Sequence, residues 1–430
     1  MTDSSRETRT APRHRRPSHL RPWKIVGLLA LLISGVVAFI GGWTLQSTVA
    51  TSAGAPAKVI IATWLRDNNL EWFVAKLEDV YFTYISTPEQ GGLPTISADF
   101  GDDEPVQEPS PQPSPSTPTQ VVPSPPTPEP TETIGLTPPK PLTPPEGLTP
   151  QEMEGQWQPV GTQFDGIPAV YVTRVRADPT YSSYYATAMW IDTSLTSAMF
   201  VPGFEEPAGG PNPFNGALPD DLQASAVASF NGGFRLKDSL GGYFYDGTMV
   251  KDLVDGKASA VVYRDGTMRI GSWGRDYSLD DSILAVRQNL DLIVDDGVSQ
   301  VTNANDNVIW GATTDKSNMT WRAGVGERAD GSLVYVIGEY LTAPMLADTL
   351  IAAGVERAMV LDMNEYWAAG FYYRTNKKGE LTCKFLEPNI NGTCDRFLRP
   401  YKRDSFHMLL RDQPLTTSPT SDYESRSLAP

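Results

Sequence analysis

Residues 224–234 read ASAVASFNGGF, an apolar run that breaks off at Asn231-Gly232-Gly233-Phe234. Val227, Ala228 and Phe230 predict a buried strand, and the glycine pair behind Asn231 lets the backbone take positive φ and lets main-chain amides approach a ligand. The same tetrapeptide also serves a plain hairpin turn. Motifs further along the chain decide between the two.

Working outward, the pattern is strand-rich. Residues 169–175, 184–191 and 333–337 read as strands. Residues 258–263 and 267–273 flank Arg264-Asp265-Gly266, and residues 322–326 and 333–337 flank Ala329-Asp330-Gly331, so two hairpins are predicted. A helix is expected from Thr342 as N-cap, through Pro344 in the first turn, to Gly354 as its stop, with Met345, Leu346, Leu350 and Ile351 on one side. Residues 358–361 then form a short buried strand with Asp362 at its carboxyl end, where α/β sheets collect ligands. The expected class is α+β or mixed α/β, a strand-rich head over residues 155–412 with few helices.

The chain before the head has a different composition. Residues 1–24 carry seven basic side chains against Asp3 and Glu7, and residues 25–45 run apolar with no charge. That length suits one transmembrane helix, and the basic flank keeps the N-terminus cytoplasmic and the rest extracytoplasmic. A cleaved export signal is the alternative, although no small-x-small site closes the segment convincingly. Within a juxtamembrane region, 46–100, the apolar positions of residues 58–85 follow a helical period, which predicts an amphipathic helix on the membrane surface or a partner, or a stalk helix. Residues 101–150 hold 17 of the 37 prolines and predict a disordered, polyproline-like linker. Fully extended it reaches at most ~150 Å at ~3.1 Å per residue. Residues 413–430 read as a disordered tail.

Charge and histidine content narrow the function. The formal charge is −16, and with +5 in residues 1–24 the remainder carries −21, which argues against nucleic acid or anionic lipid as a partner of the head. Of three histidines only His407 lies outside residues 1–24, within a predicted strand over 405–410, where a structural role is the simpler reading. Ser-His-Asp catalysis and a His-rich zinc site are hard to build from it. Cys383 and Cys394, the only cysteines, fall on the oxidising side, so a disulfide is the default. What remains is carboxylates, Arg, Asn, Tyr and backbone amides, a set suited to glycosyl transfer to water.

Taken in order, Asn231-Gly232-Gly233-Phe234, a Gly-rich stretch ending in Asp246-Gly247, Arg322-Ala323-Gly324-Val325-Gly326 before an Asp-Gly hairpin, then helix, strand and Leu361-Asp362, the pattern resembles the phosphodiester glycosidase family over most of 160–410. The anchor and Trp-rich juxtamembrane segment are similar to those of actinobacterial members. The resemblance implies removal of a sugar, N-acetylglucosamine in the family, from a sugar-1-phosphate diester. One departure stands out: where the family has glycines and a Ser after Leu-Asp, this chain has Met363-Asn364-Glu365-Tyr366-Trp367.

On this basis Arg322 is the expected phosphate clamp, since its planar fork matches phosphate oxygens. The amides of Gly232 and Gly233 add donors, and Asn231 holds a sugar hydroxyl. Asp362 is base, nucleophile or cation ligand, with Asp246 or Glu365 as second carboxyl; Asn364 and Trp367 complete the substrate contacts, Trp367 by stacking. The structural alternatives are an ion-paired Arg322, a turn-capping Asp362, and packing roles for Asn364 and Trp367. A divalent cation is the one cofactor left open, by Asp246, Asp362, Asn364 and Glu365, without a specific ligand spacing. Asp295-Asp296-Gly297 and residues 303–307 have calcium-loop composition but read better as turns. The Asn318 and Asn391 sequons matter only in a glycosylating host. Two functions are compatible with these residues: a membrane-anchored extracytoplasmic glycosidase acting on a sugar-1-phosphate diester or related envelope glycan, or a non-catalytic glycan-binding or scaffolding module with a degenerate site.

Overall fold

The structure, a computed structural model, describes residues 65, 88–101, 134–302, 307–310, 319–376 and 380–415. The chain divides into two units, Met1–Val74 and Ala75–Pro430. In the first only Leu65 is described, helical and buried. The expected cytoplasmic tail (1–24), transmembrane helix (25–45), nearly all of the amphipathic helix (58–85), linker residues 102–133 and tail residues 416–430 lie outside the described residues. Among the described residues no helix is long and apolar enough to cross a membrane.

The second unit is built mainly of strands. The chain forms β1 (Gln158–Phe164), β2 (Ile167–Arg176), β3 (Tyr185–Ile191) and β4 (Thr196–Val201), then the short helix α1 (Asp220–Gln223) and β5 (Ala226–Asn231). After α2 (Leu236–Ser239) come β6 (Tyr243–Tyr245), β7 (Thr248–Lys251), β8 (Ala258–Tyr263), β9 (Met268–Ser272), β10 (Ile283–Gln288), β11 (Leu292–Asp295) and β12 (Val298–Ser299). The remainder is α3 (Asn307–Trp310), β13 (Thr320–Arg328), β14 (Leu333–Leu341), α4 (Ala343–Ala352), β15 (Val355–Asp362), β16 (Gly370–Thr375), β17 (Leu381–Phe385) and β18 (Ser405–Leu410).

Three sheets result, ordered β1-β2-β3-β14-β13-β15-β11-β12, β7-β6-β10-β8-β9 and β17-β16-β5-β18-β4. Neighbouring strands pair antiparallel throughout, and the head is strand-rich with few helices, as expected. The α4 crossover does join two strands that run the same way, β14 and β15, but β13 lies between them. Helix α4 begins as expected: Thr342 caps it, accepting from the Met345 amide at 3.2 Å, with Pro344 in the first turn.

Two apolar layers position the site. On one face of the eight-stranded sheet, Tyr335 of β14 stacks on Phe230 of β5 at 4.9 Å, and Phe230 meets Phe406 of β18 at 5.5 Å. Strand β5 is central in its own sheet and buried at every residue, which is why it carries no alternating charged face. On the other face α4 packs Leu346 and Leu350 against Val334, Val336 and Val360. A Cβ on Gly324 would lie 3.3 Å from Leu346, and one on Gly326 would strike Val355. These two glycines therefore serve close packing at the helix-covered face.

Segments flanking the undescribed residues 102–133 lie against this unit. Residues 88–101 are held by the Gly91 amide on the Thr180 carbonyl (2.7 Å), by Gln158, which accepts from the Phe100 amide and donates to the Ala98 carbonyl, and by Arg174, which donates to the Ser97 carbonyl at 2.7 Å under the Phe100 ring. In residues 134–150, Leu142 is buried in the α4-side core and its amide donates to the Gly155 carbonyl at 2.9 Å, while the Leu136 amide reaches Asp192.

Candidate functional site

Three chain segments bring polar side chains together at one end of the sheets. Strand β5 ends on Asn231 and runs into Gly232-Gly233; β15 ends on Asp362; Arg403 and Asp404 precede β18, whose Ser405 pairs with Asn231. Antiparallel pairing of β5 with β18 sets the end of one strand beside the start of the other.

Asn231 is fixed on both sides. Its Oδ1 accepts from the Tyr335 hydroxyl at 2.9 Å and from the Ala369 amide at 3.1 Å, and its Nδ2 donates to the Gly232 carbonyl at 3.0 Å. Asp362 is 4% exposed; its Oδ1 accepts from the Met363 amide at 2.7 Å and its Oδ2 from Arg403 at 3.1 Å. The same Arg403 nitrogen donates to the Gly233 carbonyl at 2.9 Å, so one guanidinium links the glycine pair to the carboxylate. Burial pushes the Asp362 carboxyl up to about 6, against the opposing pull of Arg403 and the Met363 amide, and Asp404 raises it further.

A second ion pair lies next to the first. Arg287, near the end of β10, donates through Nε to Asp404 at 2.7 Å, through Nη1 to the Gln288 carbonyl and through Nη2 to the Phe234 carbonyl. Asn289 donates to the Val360 and Leu361 carbonyls, the second at 2.9 Å. The Gly232 amide donates to the Asp404 carbonyl at 2.8 Å, and a Cβ on Gly232 would meet the Asp404 carboxylate at 2.5 and 2.6 Å. A larger residue there would have to displace that carboxylate. Trp367 stands at the rim, half-buried, with Arg403 4.9 Å and Lys402 5.0 Å from its ring centre.

Several expected residues lie elsewhere or serve the fold. Trp321, Ala323 and Val325 face the core shared with Tyr335, so Arg322 between them points to the α4 face. It is 1% exposed and donates to the Leu341 and Trp310 carbonyls at 3.0 Å each, and burial lowers its pKa to about 10. The expected phosphate clamp is thus a buried strand residue, and the guanidinium in contact with Asp362 is that of Arg403. Asp246 sits with Gly247 in the β6–β7 turn, both at positive φ, and pairs with Arg264 at 2.9 Å on the surface. No contact joins it to Asp362. Asn364 makes a turn, accepting from the Tyr366 amide through Oδ1 at 2.9 Å and from the Trp367 and Ala368 amides through its carbonyl. Glu365 stays in this loop, half-buried, with its carbonyl accepting from Asn391 at 3.0 Å.

The expected disulfide joins Cys383 to Cys394. It braces the segment whose Asn391 and Arg396 hold the carbonyls of Glu365 and Tyr366. His407 is buried between Ser229 (2.7 Å) and Ser405 (2.9 Å), and burial depresses its pKa to about 3. Asp296-Gly297 forms the β11–β12 turn, in keeping with its composition. Among the described residues no group of three or more His, Cys, Asp or Glu is arranged to hold a metal ion. Arg287, Asn289, Tyr335, Arg403 and Asp404 were not among the expected site residues. The one legible signal was the Lys402-Arg403-Asp404 triplet directly before an apolar strand.

No family model and no curated protein matches the chain. Among solved structures it is similar to the catalytic domain of zebrafish N-acetylglucosamine-1-phosphodiester alpha-N-acetylglucosaminidase, auto-inhibited by its pro-peptide, at 15% identity and a TM-score of 0.36 over 60% of this chain and 88% of that one. A hypothetical protein from Synechocystis matches at 10% identity and 0.33, over 59% of this chain and 64% of that chain. A protein described as exported from Burkholderia pseudomallei matches at 12% and 0.30, over 54% and 75%. These likenesses are weak and stay at the level of the fold.

Proposed function

We propose that the head hydrolyses a sugar-1-phosphate diester or a related glycan of the cell envelope, and that residues 25–45 tether it to the membrane with the N-terminus in the cytoplasm. The observation that carries the catalytic part is the meeting of Gly233 and Asp362 on one nitrogen of the Arg403 guanidinium, with Asn231 bonded to Gly232 at the same strand end. The ordered motifs support the substrate class, and the basic flank and apolar run support the tether.

In the reaction, water attacks the anomeric carbon while the bond from that carbon to the phosphate oxygen breaks, and the bonding electrons leave with the phosphate. Asp362 takes the proton from water. A phosphate ester is a stable leaving anion, so charge stabilisation matters more than a strong acid, and Arg403 supplies it. With its carboxyl at about 6, Asp362 is ionised at neutral pH and still basic enough to accept the proton.

Asp362→Asn and Arg403→Ala should each lower sugar release from a phosphodiester panel by roughly a hundredfold or more, with circular dichroism unchanged. Undiminished release in both would end the enzymatic reading. The near-complete burial of Asp362 and the bulky residues after it favour one alternative, a module that holds the glycan without cleaving it. Binding with no sugar released would establish that alternative.

A further inference from the structure

Asp404 and Asn289 each use half of a side chain within the protein. Asp404 Oδ2 takes the Arg287 hydrogen bond, and Asn289 Nδ2 reaches the two carbonyls of β15, which fixes the direction of its oxygen. The other atoms, Asp404 Oδ1 and Asn289 Oδ1, are buried and meet no hydrogen-bond donor among the described residues. Both lie against the glycine pair. The missing Cβ of Gly232 would stand 2.6 Å from Asp404 Oδ1, and that of Gly233 would stand 3.3 Å from Asn289 Cγ. A buried acceptor without a donor destabilises a fold, and two such atoms flanking one turn call for a common explanation.

A cation is the first candidate for two bare oxygens, but the local charge opposes it. Asp404 is paired with Arg287 and Asp362 with Arg403, so the cluster is already neutral. A divalent ion would add two uncompensated charges beside two buried guanidinium groups. Neutral hydroxyl donors add none. We propose that Asp404 Oδ1 and Asn289 Oδ1 accept hydrogen bonds from two hydroxyl groups of the sugar ring on which Asp362 acts. This subsite rests on the sugar-phosphate reading and goes beyond it by naming the groups that select the sugar.

The test is calorimetric titration of the full-length chain with inorganic phosphate, glucose 1-phosphate, N-acetylglucosamine 1-phosphate, the four single deoxy analogues of glucose 1-phosphate, and calcium or magnesium alone. Loss of either of two hydroxyls should weaken binding about ten- to hundredfold, and loss of the others should change it little. Asp404→Asn turns one acceptor into a donor, so it should weaken the parent sugar phosphate by a similar factor and leave one deoxy analogue unaffected. Equal binding of all deoxy analogues, or a uniform loss in Asp404→Asn, would overturn the subsite while leaving the sugar-phosphate reading intact. Metal binding that Asp404→Asn abolishes would overturn it in favour of a cation. Binding of phosphate with no glycosyl phosphate bound would remove both. If Asp404→Asn does not fold, the deoxy series on the unaltered chain decides alone.

Discussion

At the residue scale, Asp362 has a carboxyl raised by burial to about 6, and that has a cost in stability. For a group whose folded pKa exceeds its unfolded value, the favourable contribution is complete below the unfolded value, near 4, and is lost as pH rises through about 6. Asp362→Asn should therefore stabilise the head at pH 8 relative to pH 4, by roughly 3 kcal/mol, as read from urea unfolding at the two pH values. A variant whose advantage does not grow with pH would contradict this. The glycine pair makes a second prediction. Gly232→Ala must displace the Asp404 carboxylate and should cost about 1–3 kcal/mol, whereas Gly233→Ala meets Asn289 only at 3.3 Å and should cost less than half as much. Chemical denaturation of both variants checks the ranking.

At the scale of the element, Thr342 gives α4 its start, and Thr342→Ala should cost about 1 kcal/mol without altering the site, seen as a lower Tm with sugar release unchanged. Elements were legible where local chemistry was decisive. The hairpin of β8 and β9 was marked by Arg264-Asp265-Gly266, with Gly266 at φ +81°, and β18 by its apolar run. Edge and short strands such as β7 and β12 carry too little pattern to be read. Asn231 and Asp362 could be singled out because each ends an apolar strand. Arg287 could not: its partner Asp404 is 117 positions away, and a charged residue late in a strand looks solvent-facing until the fold buries it. Arg322 misled for a related reason. Order along the chain does not say which face of a sheet a side chain takes, and one step of register decides it.

At the scale of the whole molecule, the described residues on either side of 102–133 rest on the same strand-rich unit: Ser97 and Phe100 on Arg174 of β2, and Leu142 on Gly155 and the α4-side core. A protease cut confined to 102–133 in a fragment covering residues 88–430 should leave both pieces together in size-exclusion chromatography, and separation of the shorter piece would show that its docking is too weak to matter. The proline-rich stretch departs from a body and returns to it. It is then a handle on the head and not its leash. On the proposal that residues 25–45 tether the head, its reach falls to residues 46–87, and deletions there, not among the prolines, should shift which layer of the envelope the head touches.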